Sequence, residues 1–507
     1  MKIAFVAPEC DPFVKVGGLA DVVASLPRTL RRNGHEVRIY IPRFSSISEE
    51  MLESAEAVGT VTLRGEDINN TEMPKSARIL KLMSRDIPIF FVECAELFDV
   101  PHAPYGGDLS DPRRWAFFSL AVLEHLAGEP DPVDVIHAHD WPTGLLPVYK
   151  ALRYKTGKLE KTAVLFTIHN IAHAGKFTKD WLSKLGLPDW LFDQEQLEFF
   201  GDWSMLKGGL LWSTMISTVS PRYADEIQNT TFGCGMDGVL RKRIDDLVGV
   251  LNGIDTSVWD PAAAEDDPAG GPWPAFDENR LLRRDGHRDA LCAHFGLQNR
   301  PRTPIFGFVG SLTDQRGVSV LFDIIPKIIS DGSQIVILGE GAAEFEDRLE
   351  KIHNMNRANV GVAIGFHPIL AKRIYAGSDF FLMPSIFEPC GLSQMIACRY
   401  GSIPIVSFTG GLADTIRDAD TYQDGNGITF QAPATLDAED WLPVATKELA
   451  KAVDRSLRIY KDSVRFESIR RRAMRCDFTW ERSARKYDDI YSETVRRERG
   501  EAGHFGP

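Results

Sequence analysis

The chain has 507 residues and a formal net charge of −13, long enough for two or more domains and too acidic for a general nucleic-acid or anionic-membrane binder. Hydrophobic residues at 44% and charged residues at 25% give the balance of a soluble globular protein, and no apolar run approaches the ~18 residues of a membrane span. Glu9 and Asp11 follow the apolar run Ile3–Ala7 too soon for a signal peptide, and seven scattered cysteines with no Cys-x-x-Cys pair read as reduced thiols of a cytoplasmic protein.

Lys2–Ala7 reads as a buried strand. Leu19, Val22, Val23, Leu26 and Leu30 then recur at helical spacing, with Gly34 as the stop signal. Between them lies Lys15–Asp21 (KVGGLAD). Gly17 and Gly18 let the backbone approach an anion, the helix end offers unpaired N–H groups, and Lys15 adds a charge. The loop is either a phosphate cradle or an ordinary glycine turn beside a solvated lysine. Arg114–Leu126 is apolar nearly all round, as a core helix is. Val133–His137, Ala163–Ile168, Ile216–Val219 and Leu247–Leu251 read as further strands. His137–Trp141 (HAHDW) and Thr167–Asn170 (TIHN) fall at strand ends. His137 and His139 share one face of a strand, but no third and fourth ligand accompany them, so no metal site is read. His169 is either a site imidazole or a hydrogen-bonded core residue.

Asp260–Asn279 holds six acids and no base among Pro, Gly and Ala, and reads as a solvated connector. An amphipathic helix over roughly Leu281–Phe295 leads to a second set of strands at Ile305–Val309, Gln334–Leu338, Val360–Gly365, Phe380–Pro384 and Ile403–Val406. Pro384–Leu392 (PSIFEPCGL) opens a helix running to about Arg399; Glu388 there suits a sugar-binding carboxylate or a helix cap. Thr409–Asp414 (TGGLAD) repeats the phosphate-cradle pattern. Asp418 and Asp420 read as solvated. Trp480, Ala484, Tyr487, Ile490 and Tyr491 form a helical stripe after Thr479, a plausible N-cap, and the chain from Arg496 reads as a frayed tail. The fold expected is α/β, two Rossmann-like domains facing a cleft that collects the carboxyl ends of their strands. The expected divisions are 1–259, a connector at 260–300, a second domain at 301–479, a helix at 480–495 and a tail at 496–507.

KVGGLADV, HAHDW, TIHN, Val219–Ile227, Val250–Asp255, FEPCGL and TGGLADT stand in an order that resembles the bacterial glycogen synthase and plant starch synthase family, from Met1 to about Tyr491. That family consists of retaining GT-B glycosyltransferases that extend an α-1,4-glucan from ADP-glucose. The resemblance implies that Lys15, Gly17 and Gly18 contact the sugar nucleotide, with Asp21 nearby and Tyr105 at the donor or acceptor cleft. Asp140 and His169 would hold glucosyl hydroxyls, with Asn252 bordering the pocket. Glu388, Cys390, Gly391 and Leu392 would line the sugar and diphosphate, helped by Thr409, Gly410 and Gly411. The resemblance also implies a last helix that crosses back to the first domain, and same-face transfer without a metal cofactor. The diphosphate charge would be met by helix N-termini and basic side chains such as Arg316.

The chain departs from the family pattern at three positions. Ser311 stands where a diphosphate-binding arginine is expected, Ile386 replaces an arginine before Phe387-Glu388, and Pro142 replaces a histidine after HDW. Arg316 keeps a cation at a lysine position, with different reach. Two readings therefore stand beside a full glucan synthase. One is a weakened or non-catalytic relative that binds glucan or nucleotide. The other is a GT-B transferase using another sugar nucleotide, such as UDP-glucose. A hydride-transferring dehydrogenase is disfavoured, since the first turn lacks Gly-x-Gly-x-x-Gly. The donor base, acceptor length and oligomeric state are not written in these residues.

Overall fold

The computed structural model describes residues 1–65, 68, 71–100, 104–105, 111–263, 266–267, 271–365, 367–433 and 441–501. The chain divides into two compact units. The first comprises Met1–Val219, Ala224–Gly253 and Trp480–Pro507, and the second Ser220–Tyr223 with Ile254–Thr479.

A nine-stranded sheet forms the core of the first unit. Its spatial order is Leu247–Gly249, Met215–Thr218, Ala163–Ile168, Val135–His139, Lys2–Val6, Glu36–Pro42, Ile87–Glu93, Ser76–Ser84, Glu56–Thr62. All pairs are parallel up to Ile87–Glu93, and the last two strands are antiparallel. The central parallel strands Lys2–Val6 and Ala163–Ile168 are nearly continuous apolar runs, as strands buried on both faces are. Ser76–Ser84 instead alternates buried and exposed residues, and Glu56–Thr62 is an exposed edge broken by a bulge at Ala57/Gly59. Strand Val135–His139 starts two residues later than its apolar pattern suggests, so His139 is its last residue. The Gly18–Arg32 helix ends as expected at Gly34, whose φ of 92° suits a residue without Cβ.

The second unit is built on a six-stranded parallel sheet. Its order is Val360–Ile364, Gln334–Gly339, Ile305–Val309, Phe380–Met383, Ile403–Ser407, Ile428–Phe430. In each sheet the chain builds outward one way and then returns to the other side of its starting strand. That places a topological switch point between Lys2–Val6 and Val135–His139, and another between Ile305–Val309 and Phe380–Met383. Open parallel sheets bind ligands at the carboxyl edge of such a point, where diverging connections leave a crevice.

The described part of the connector is not solvated. Phe276 is fully buried, Pro274 O accepts from His287 Nε2 at 2.9 Å, and Asp260 pairs with Arg399 at 3.3 Å. An aromatic and a carbonyl acceptor anchor this stretch to the second unit despite its acidic composition. The last helix spans Trp480–Glu498, three residues beyond the expected end, and belongs to the first unit. Its extra turn is held by Glu498, which accepts from Lys150 at 2.5 Å and from Thr214 at 2.6 Å. Residues 502–507 of the expected tail lie outside the described residues. The Thr479 hydroxyl donates to Asp477 Oδ1 (2.7 Å).

Asp379, nearly buried before strand Phe380–Met383, ties the second unit together. It accepts from Ile305 N (3.0 Å), Arg288 Nη1 (2.8 Å) and Arg470 Nη2 (3.0 Å), joining a strand to two helices. Replacing it with alanine strands two half-buried guanidinium groups. Asp379→Ala should cost the unit about 3 kcal/mol, read as a lower urea midpoint for its unfolding transition.

Candidate active site

Four loops of the first unit leave the carboxyl edge of its sheet around the switch point. Strands Val135–His139 and Ala163–Ile168 run parallel with His139 opposite Thr167, so Asp140 and His169 emerge side by side. Asp140 donates its N–H to Thr167 O at 3.0 Å and adopts φ 56°, ψ 177°, a region that non-glycine residues rarely occupy. Its Oδ1 accepts from His169 N (2.7 Å) and Asn170 N (3.4 Å). The strained corner thus turns the carboxylate back onto the neighbouring strand end. Desolvation raises the Asp140 pKa to about 7 against the pull of those two N–H groups, and the Glu9 charge adds to the rise. Pro142 sits in the first turn of the short helix Trp141–Thr143, where a missing N–H costs nothing.

His169 Nε2 lies 3.0 Å from His139 Nδ1. Both are neutral imidazoles: desolvation lowers His169 to about 3 and His139 well below its ordinary value. His137 is fully buried with both ring nitrogens engaged, by Tyr491 Oη at 2.8 Å and Thr167 Oγ1 at 2.6 Å. His137 and His139 are buried neighbours with ring centroids 4.1 Å apart, each hydrogen-bonded to other residues of the core. Among the described residues no three His, Cys, Asp or Glu side chains are grouped to hold a metal ion. Asn252 lies just past strand Leu247–Gly249, nearly buried, and its Oδ1 has no partner among the described residues. A buried acceptor left unpaired is uncommon and suits a group that a ligand completes.

The KVGGLAD loop is more occupied than its sequence suggests. Val16 N and Gly17 N donate to Glu9 Oε2 at 2.7 and 3.1 Å, and Tyr105 Oη donates to Glu9 Oε1 at 2.7 Å. Lys15 pairs with Asp21 at 2.5 Å and stands 3.8 Å from Asp11. Lys15 is exposed and ion-paired, and the Gly17 N–H of the expected cradle already holds a carboxylate. Gly18 opens the helix. Desolvation raises the Asp21 pKa, with Lys15 opposing. Tyr105 also neighbours the rings of Trp115 and Trp141, each at 6.4 Å between centroids.

Three loops of the second unit stack backbone on backbone beside its switch point. Gly317, at φ 74°, lies so close to Pro384 O that a Cβ would stand 1.9 Å away. Ile386 N donates to Gln315 O at 3.0 Å. Cβ atoms on Gly410 and Gly411 would come within 2.0 Å of Glu388 O and 2.2 Å of Cys390 O. The Gly411 N–H donates to Glu388 O (3.1 Å) and Pro389 O (3.2 Å). The glycines of Thr409–Asp414 thus serve close approach between loops, and the Gly411 N–H is not open to a phosphate. Asp414 accepts from Ser220 Oγ (2.6 Å) and Arg222 N (3.0 Å), which holds the Ser220–Tyr223 segment to this loop. Cys390 is buried, Gly391 takes φ 69°, and Leu392 caps the short helix Ser393–Arg399.

Glu388 is buried and forms an ion pair with Arg316, with Ser385 Oγ donating at 3.3 Å. Desolvation lowers the Arg316 pKa, while about a third of its side chain remains exposed, at 34%. Ser311 is exposed. Ile386 lies in the hydrophobic core with 4% of its surface exposed, so this position presents no side chain to the loop surface, contrary to expectation. Asp418 is not solvated either. Burial alone would raise its pKa, but Arg455 at 2.6 Å and the N–H groups of Thr429 and Asp420 hold it below the ordinary range. That pair braces the fold. Sequence reasoning passed over Glu9, although its place at the carboxyl end of the first strand was a usable signal. It also considered His139 only as a metal ligand.

Two α/β units, each built on a largely parallel sheet with loops at its switch point, have the architecture of the GT-B fold class. Residues 2–242 match the family model for the starch synthase catalytic domain, and residues 303–442 match glycosyl transferases group 1. The chain belongs to the starch synthase family, which includes the bacterial glycogen synthases. The glycogen synthase of Geotalea uraniireducens is 39% identical, over 98% of this chain and 99% of its own. Glycogen synthase 2 of Geobacter sulfurreducens is 38% identical over 99% and 100%. The catalytic domain of starch synthase IV from Arabidopsis thaliana, solved bound to ADP and acarbose, gives a TM-score of 0.86 at 31% identity over 97% of this chain and 99% of that one. Sucrose-phosphate synthase from Thermosynechococcus elongatus, at TM-score 0.59 and 16% identity, shares the fold.

Because folding raises the Asp140 pKa to about 7, the native state binds this proton more tightly than the unfolded chain does. The associated stability is full below the unfolded pKa of about 4 and is lost as pH rises towards the folded value. Asp140→Asn should therefore be at least as stable as the parent at neutral pH, with a flatter stability profile across that window. Glucosyl transfer should fall sharply in the same variant. Denaturation midpoints against pH, set beside turnover, check both halves.

Proposed function

We propose that the chain transfers glucose from ADP-glucose, with retention, to the non-reducing end of an α-1,4-glucan, in the cytoplasm and without a metal cofactor. The observation that carries this is the buried Glu388–Arg316 pair at the second switch point. A diphosphate draws the guanidinium of Arg316 to its own oxygens, since Arg grips such groups with two parallel N–H bonds. Glu388 is then left to accept from sugar hydroxyls. Asp140 and the neutral His169 bind further hydroxyls, and Lys15 leaves Asp21 for a donor phosphate. In the reaction the bond from the glucosyl C1 to the phosphate oxygen breaks. The acceptor hydroxyl bonds to C1 from the same face, and its proton passes to the leaving diphosphate. The protein stabilises charge developing on that group, which is where preorganised donors lower a barrier most. The ADP and acarbose bound by the Arabidopsis relative support the choice of donor and acceptor. Seven free thiols and the lack of a membrane-crossing helix among the described residues suit a cytoplasmic enzyme.

Labelled ADP-glucose and UDP-glucose, offered in parallel with a glycogen primer, test this directly. Incorporation from ADP-glucose that persists in EDTA is expected. Incorporation from UDP-glucose alone, or EDTA inhibition reversed by magnesium, overturns the corresponding part. Glu388→Gln and His169→Ala should each lower kcat by roughly 10²–10³.

A second reading, a weakened transferase, is favoured by exposed Ser311, where the family pattern has a cation. Ser311→Arg and Arg316→Ala separate the two. A weakened site gains turnover from Ser311→Arg. A site in which Arg316 compensates shows normal parent turnover, little gain from Ser311→Arg, and collapse in Arg316→Ala. If both variants are silent, neither side chain meets the diphosphate.

A further inference from the structure

Glu9 has only 2% of its surface exposed and no side-chain cation within pairing distance among the described residues. Its carboxylate is held by three donors: Val16 N, Gly17 N and the Tyr105 hydroxyl. A buried carboxylate kept on neutral donors is costly unless those donors are fixed. Here they come from two separate loops, the glycine loop before the Gly18–Arg32 helix and the segment carrying Tyr105. Gly17 is extended at φ −139°, and a Cβ there would meet nothing within 4 Å. Local packing therefore does not fix the loop's course at Gly17; the carboxylate does. We propose that Glu9 is a positioning residue, an internal anion that holds Lys15–Gly18 and Tyr105 in their ligand-binding arrangement.

The alternative is that Glu9 merely occupies a phosphate cradle and is displaced by the donor. Electrostatics argues against it. A phosphate on Val16 N and Gly17 N leaves the buried Glu9 carboxylate with the Tyr105 hydroxyl as its one remaining donor among those three and beside a second anion, two penalties at once. The donor phosphate is left with Lys15 and the helix end at Gly18, while Glu9 keeps the first two N–H groups throughout. The Glu9 charge is also felt further along the edge. It adds to the desolvation that raises Asp140, and with burial it pushes the Tyr105 hydroxyl up. The titratable groups beside Asp140 in this arrangement are Glu9, Tyr105, His139 and His169.

The proposal rests on the reading of this loop as the donor site, so its test uses one measurement that needs no turnover. In Glu9→Gln, which keeps the shape and removes the charge, amide hydrogen exchange at Val16 and Gly17 should accelerate at least tenfold. The middle of the Gly18–Arg32 helix should stay protected. In the same variant KM for ADP-glucose should rise about tenfold, the loss of one charge-assisted contact. The acid limb of kcat/KM should move to lower pH, because removing a neighbouring negative charge makes Asp140 easier to ionise. Glu9→Asp should restore part of the affinity. Unchanged exchange at Val16 and Gly17 overturns the proposal whatever the activity. So does tighter ADP binding in Glu9→Gln, which would make Glu9 a competitor of the donor. Accelerated exchange in a protein that shows no transfer from ADP-glucose would uphold the brace and defeat the donor assignment instead.

Discussion

A carboxylate removed from water must be given donors, and that requirement shapes both units. Asp379 gathers one backbone N–H and two arginines, and thereby fixes a strand against two helices. Asp418 does the same with Arg455 and two N–H groups. These two are satisfied by permanent partners, and their work is structural. Glu9, Asp140 and Glu388 stand where the strands end and are met by loop N–H groups, one hydroxyl each for Glu9 and Glu388, and one guanidinium. The distinction is physical: the first pair welds elements, and the other three hold loops whose remaining groups are left for chemistry.

The position of the site was legible because it follows from topology. Apolar runs alternating with helical patterns imply parallel sheets, and parallel sheets put their variable loops at one edge. The loops carrying Asp140, His169 and Glu388 fall at strand ends on that ground, and the family resemblance then singles out the residues themselves. What the loops do with their own backbone was not legible. Glycine pairs at 17–18 and 410–411 look alike in sequence. At Gly17 the N–H meets a carboxylate, whereas at Gly410 and Gly411 the missing Cβ admits a neighbouring loop. Only the second use requires a residue without Cβ, since a Cβ at Gly17 would meet nothing within 4 Å, and only the fold separates them.

Side-chain direction is the other thing that residue type conceals. Ile386 occupies a position read as facing a ligand, yet it fills the core of the second unit. The acidic stretch after Asp260 looked solvated by composition, yet its aromatic and carbonyl groups are anchored. In both cases a single apolar residue, Ile386 or Phe276, outweighs its polar neighbours. Fully burying such a side chain contributes about 1.5–3 kcal/mol, more than an exposed charge pair does.

The histidines of the first unit show how far hydrogen-bond bookkeeping can assign a role. His139 is buried and its Nε2 has no partner among the described residues, while its Nδ1 faces His169 Nε2. A buried N–H without an acceptor is the rarer and more expensive defect, so the proton of neutral His139 belongs on Nδ1. It then donates to His169 Nε2. His169 is neutral too, so its own proton must sit on Nδ1. His169 is thereby set as a donor at the strand edge beside Asp140, an acceptor, and a hydroxyl placed between them would be gripped from both sides. The second chain of contacts, from Ser217 through Thr167 and His137 to Tyr491, anchors the last helix to the same strands. A core residue two positions back thus holds the strand end steady, and the residue next to Asp140 decides which way its neighbour's proton points.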